Sequence, residues 1–76
     1  MPDTRSRLVQ CFQAVFPDLN ESDAARANAN RVSAWDSAAT VTLAAVVEEE
    51  FNMTFDPQEI EKLTSFDRYL SRLEQG

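Results

Sequence analysis

The sequence predicts an all-α fold of four helices, the third short, with a long loop between the first and second. Three observations carry this reading. Apolar residues recur at helical spacing in separate stretches. The chain has one glycine and three prolines, whereas alanine, leucine, glutamate and arginine are plentiful. Residues that start helices stand where the periodic stretches begin: Asp36, Pro57 and Ser65.

The first helix is expected over residues 4–16. Leu8, Cys11, Phe12, Val15 and Phe16 fall at i, i+3, i+4, i+7 and i+8, forming one apolar stripe. Pro17 disfavours a helical conformation in the residue before it, so the helix should stop near Phe16, with Leu19 folding back onto the core. Residues 20–34 are polar and alanine-rich and lack a clean period. They read as a surface loop, with one helical turn near Asp23–Ala27. A loop of that length in a small domain is unusual unless it serves function.

The second helix is expected over residues 37–51, with Asp36 as its N-cap. Leu43, Val46, Val47 and Phe51 should face inward, and Val41 and Ala45 should lie on a more exposed flank. Glu48, Glu49 and Glu50 crowd its last turn, where negative charge opposes the helix dipole by roughly 0.3–1 kcal/mol each. A short helix should begin at Asp56-Pro57 and include Ile60 and Leu63. Ser65 should cap a last helix whose stripe is Phe66, Tyr69, Leu70 and Leu73.

Seventy-six residues make one domain, 1–76, with a modest core and a stability of about 3–5 kcal/mol. There is no histidine, so the commonest general base and the commonest metal ligand are both missing. With a single cysteine as well, no plausible zinc site and no imidazole-activated nucleophile can be built, which argues against an enzyme. Cys11 reads as a small buried hydrophobe. No apolar run reaches signal-peptide or membrane-spanning length, so a soluble, cytoplasmic monomer is expected. The net charge of −6 lies wholly in residues 36–76, where nine carboxylates face Lys62, Arg68 and Arg72. That balance disfavours nucleic acid and anionic lipid and favours basic protein partners.

Ser37 follows the Asp36 cap at the end of the long polar loop. A serine there holds its hydroxyl in solvent, beside backbone N–H groups without intrahelical partners, a setting suited to a covalently attached phosphate. Asp-Ser before a helix is by itself an ordinary capping pair; the loop before it and the residues after it give it weight.

The run from Asp36 to Ser65 resembles, without gaps, the second and third helices of bacterial type II acyl carrier proteins. Asp36, Ser37, Thr40, Val41, Leu43, Glu48, Glu49, Glu50, Phe51, Glu59, Glu61, Lys62 and Thr64 carry the likeness. Trp35 before Asp-Ser is similar to stand-alone carriers of polyketide or surface-polysaccharide pathways. The resemblance implies a four-helix bundle of acyl-carrier type. It also implies a 4′-phosphopantetheine arm on Ser37, next to Asp36, holding acyl groups as thioesters. A phosphopantetheinyl transferase would attach the arm using coenzyme A, and acyl-loading and acyl-processing enzymes would dock on Val41, Ala45, Glu48 and Glu49. Such docking should be weak, electrostatic and salt-sensitive. Ala38 stands where the family usually has leucine or methionine, and Ala39 and Thr42 stand where fatty-acid carriers are acidic. These departures point to a specialised lipid, polyketide or polysaccharide-modifying pathway rather than housekeeping fatty acid biosynthesis. Two alternatives remain open: an aminoacyl or peptidyl carrier, and an acidic helical interaction module that is never modified.

Overall fold

The computed structural model describes residues 3–75. Those residues form five helices in the order α1 (Thr4–Val15), α2 (Glu21–Ala25), α3 (Ser37–Phe51), α4 (Pro57–Lys62) and α5 (Phe66–Gln75), with no strand among them. The all-α expectation holds, but the count is five rather than four. The extra helix lies in the region expected to be loop and begins two residues before the helical turn expected near Asp23–Ala27. It starts at Glu21, capped by the Asn20 side chain, which accepts the Asp23 N–H at 2.8 Å. Glu21 and Asp23 in its first turn complement the dipole, and Ala24 and Ala25 favour the helical backbone. Burial of Ala24 against the core supplies the rest.

Each long helix starts where its capping residue dictates. Asp3 accepts the Ser6 N–H at 2.8 Å ahead of α1. Ser65 Oγ accepts the Arg68 N–H at 3.1 Å ahead of α5. α1 stops one residue before Phe16, which has left the helical region ahead of Pro17. α3 ends on Asn52 in the left-handed conformation (φ 53°), a position asparagine tolerates better than most residues.

α1 is the hub of the packing and touches α2, α3 and α5. Its Phe12 is fully buried and meets Trp35, Phe66 and Tyr69 edge-on, with ring centroids 5.5, 5.2 and 5.8 Å away. Tyr69 in turn meets Phe55 at 5.8 Å. Each such pair contributes roughly 0.5–1.5 kcal/mol beyond the area it buries. Leu8, Leu43 and Val47 complete the interior. Val9 and Ala44 are also buried although the periodicity left them out; Val46 and Phe51, expected inward, are only half-buried.

The segment between α2 and α3 is held in place. Residues Asn28 and Ser65 form an isolated antiparallel bridge, in which the Ala29 N–H donates to Thr64 O and the Phe66 N–H to Ala27 O, both at 2.9 Å. The approach to α3 is thereby stitched to the junction between α4 and α5.

Candidate functional site

The start of α3 is built from four consecutive residues with separate roles. Trp35 is buried, its indole packed between Phe12 (5.5 Å) and Phe16 (5.6 Å). Its Nε1–H donates to Thr40 Oγ1 at 3.0 Å, and that hydroxyl donates to the Asp36 carbonyl at 3.0 Å. The anchor therefore fixes both the chain entering the helix and the first turn that follows. Asp36 is the N-cap: its carboxylate accepts the Ala39 N–H at 2.8 Å, and its carbonyl accepts the Thr40 N–H at 2.9 Å.

Ser37 is the first residue of α3 and is exposed, as is Ala38 after it. Among the described residues the Ser37 hydroxyl takes no hydrogen bond, and the amides of Ser37 and Ala38 have no intramolecular acceptor. The arrangement presents one primary hydroxyl to solvent at the positive end of a fifteen-residue helix, on a backbone held from behind. The nearest carboxylate, that of Asp36, is taken up by the Ala39 N–H, and no side chain among the described residues hydrogen-bonds the Ser37 hydroxyl. The residues present fit a phosphodiester on Ser37: the oxygen is accessible, Ala38 offers no bulk, and two amide donors are free.

From Ser37 an exposed stripe runs down α3 through Val41, Ala45 and Glu49, each four residues on and therefore on one face. Val41, 65% exposed, is a large apolar side chain standing in solvent. The three glutamates differ in their partners. Glu48 turns back, and its carboxylate accepts the Phe55 N–H at 2.6 Å, bridging the turn between α3 and α4. Glu50 pairs with Arg7 at 2.8 Å, and the same guanidinium donates to the Glu50 carbonyl and lies 4.4 Å from the Phe51 ring centroid. Only Glu49 is left exposed without an intramolecular partner among the described residues. The dipole cost of acids at this helix end is thus offset by partners for two of the three.

Sequence reasoning missed the bridge between Asn28 and Ser65 and the roles of Glu48 and Glu50. Cys11 is buried, and burial, with the neighbouring Glu50 carboxylate, pushes its thiol up to about 11. That leaves it protonated and unreactive at neutral pH. Tyr69 is fully buried, and its hydroxyl has no hydrogen-bond partner among the described residues. No helix among the described residues is long and apolar enough to cross a membrane.

No protein-family model matches the chain, and neither a curated protein nor a solved structure matches it.

Proposed function

We propose that the chain is a carrier of acyl groups, held as thioesters on a 4′-phosphopantetheine arm attached to Ser37. The observation that carries this reading is the exposed, unpartnered Ser37 hydroxyl at the first position of α3, behind the Asp36 cap and the Trp35 anchor. The likeness of Asp36–Ser65 to acyl carrier proteins supports it, and so does the absence of histidine, since a carrier needs no base of its own.

In the attachment reaction Ser37 Oγ forms a bond to the phosphorus of coenzyme A next to its pantetheine. The bond from that phosphorus to the bridging pyrophosphate oxygen breaks, 3′-phosphoadenosine 5′-phosphate leaves, and the hydroxyl proton passes to the transferase. The arm, once bound, supplies a terminal thiol for thioester formation. Asp36 and Trp35 fix the backbone that carries the hydroxyl, and the amides of Ser37 and Ala38, which have no acceptor among the described residues, would be the donors available to a phosphodiester on Ser37. Val41, Ala45 and Glu49, on the same face as Ser37, form the surface against which a transferase or acyl-processing enzyme seats. Tethering the cargo raises its effective concentration at each docked active site.

Intact-mass measurement after incubation with coenzyme A, Mg²⁺ and a broad-specificity phosphopantetheinyl transferase tests the proposal. A gain of one phosphopantetheine in the parent chain and none in Ser37→Ala supports a carrier. No gain with any transferase favours an unmodified interaction module, with Ser37 as a plain part of the helix start.

A further inference from the structure

In residues 36–76 nine carboxylates stand against three cations, and all three cations line one cleft. Lys62, on the last turn of α4, faces Arg68 and Arg72, which lie one turn apart on α5, across a hollow of about 320 Å³. Leu63 gives the hollow a buried apolar side, and Ser71 and Gln75 add neutral hydrogen-bonding groups. One acid, Glu59, also lines it, but that carboxylate is already engaged: it accepts from Arg72 Nε at 2.6 Å and from the Asp56 N–H at 3.0 Å. Arg72 is fixed further by the Phe55 ring, 5.7 Å away. Lys62 and Arg68 form no ion pair among the described residues. The cleft is therefore a local excess of positive charge on the acidic half of the molecule, with its own acid neutralised from within.

The chain links the cleft to the start of α3 through main-chain hydrogen bonds. The α4–α5 junction, between Lys62 and Arg68, is the segment bridged to residues 27–29. From there two tight turns, Val32 N–H to Asn28 O at 3.0 Å and Trp35 N–H to Val32 O at 2.9 Å, lead to the start of α3. The volume is at the lower end of small-molecule sites, so it suits a short ligand rather than a long chain. Two free cations beside an apolar wall fit a carboxylate at the end of a few methylenes.

We propose that this cleft binds the free carboxylate of a short dicarboxylic acyl group carried as a half-thioester on the Ser37 arm. The inference rests on the carrier reading and narrows its cargo to acids that keep one carboxylate after loading. An arm that spans Ser37 and the cleft raises the effective concentration of that carboxylate there.

The test uses ¹⁵N-labelled protein loaded by a phosphopantetheinyl transferase with the arm from succinyl-coenzyme A or, at equal chain length, butyryl-coenzyme A. Intact mass first confirms loading, so failure of the carrier reading shows there and not in the spectra. The succinyl form is expected to shift the amides of Lys62, Arg68, Ser71 and Arg72 relative to the butyryl form. In the Lys62→Gln, Arg68→Gln double variant, which should load fully, that difference should vanish. Identical spectra for the two loaded forms overturn the proposal, as does a difference that survives in the double variant. Free succinate at the protein's own concentration should leave these amides unmoved. Equal shifts from it would show that the tether is irrelevant and would overturn the assignment to cargo.

Discussion

Tyr69→Phe should stabilise the protein. The Tyr69 ring is fully buried and packs edge-on against Phe12 and Phe55, both at 5.8 Å between centroids. Phenylalanine keeps all of that surface. The hydroxyl, by contrast, is buried and finds no hydrogen-bond partner among the described residues. A buried unpaired polar group costs about 1–3 kcal/mol, so removing it should return about 1–2 kcal/mol once the small void left by the oxygen is counted. Burial, together with the nearby Glu48 carboxylate, drives the Tyr69 pKa far above the ordinary phenol value, so the group is neutral throughout the working range and charge plays no part. In a domain holding about 3–5 kcal/mol, the gain is a large fraction of the whole. Urea denaturation is the assay: the midpoint should rise with an unchanged slope. Thermal unfolding should move up by about 4–8 °C per kcal/mol. A lower midpoint for Tyr69→Phe would refute the reasoning, because it would mean that the hydroxyl has a bonding partner in the folded protein.

Three further outcomes follow from the same geometry. Glu48→Ala should cost about 1.5–3 kcal/mol in urea denaturation, because the Phe55 N–H loses a charged acceptor. Glu49→Ala, one residue on and exposed, should change stability by less than about 0.5 kcal/mol, and equal effects from the two would contradict the split of the triplet. The Cys11 thiol holds its proton more tightly folded, at about 11, than its ordinary value of 9.0. Stability should therefore be unaffected by this group below pH 9 and fall as pH rises from 9 towards 11, and the decline over that interval should be shallower in Cys11→Ala. Ser37→Ala should leave the urea midpoint within about 0.5 kcal/mol of the parent, since the side chain is exposed and makes no hydrogen bond; a larger loss would show that the hydroxyl is structural.

What was legible in the sequence was local. The span of α3 could be read from Asp36 at one end and the apolar spacing up to Phe51 at the other, and it came out as residues 37–51. Asp-Pro before α4 and Ser65 before α5 worked in the same way, because capping is settled within three or four residues. The exposure of Ser37, Val41 and Ala45 followed from helical geometry alone. The misses were interactions between distant residues. Glu50 meets Arg7 43 positions away, and Glu48 meets a backbone N–H seven positions on, so neither partner shows in the period of α3. The bridge between Asn28 and Ser65 is made by main-chain atoms and has no side-chain signature. α2 was hidden by length: five residues are too few for a period, and only its Asn20 cap and paired alanines hinted at it.

The central claim, that the outward hydroxyl of Ser37 is the attachment point for a prosthetic arm, is tested most directly by tandem mass spectrometry of the tryptic peptide spanning residues 32–62 after treatment with transferase and coenzyme A. That peptide holds Ser33, Ser37, Thr40, Thr42 and Thr54, so the fragments themselves discriminate. The account predicts one phosphopantetheine, borne by Ser37. An unmodified peptide, or an arm on any other hydroxyl, would contradict it.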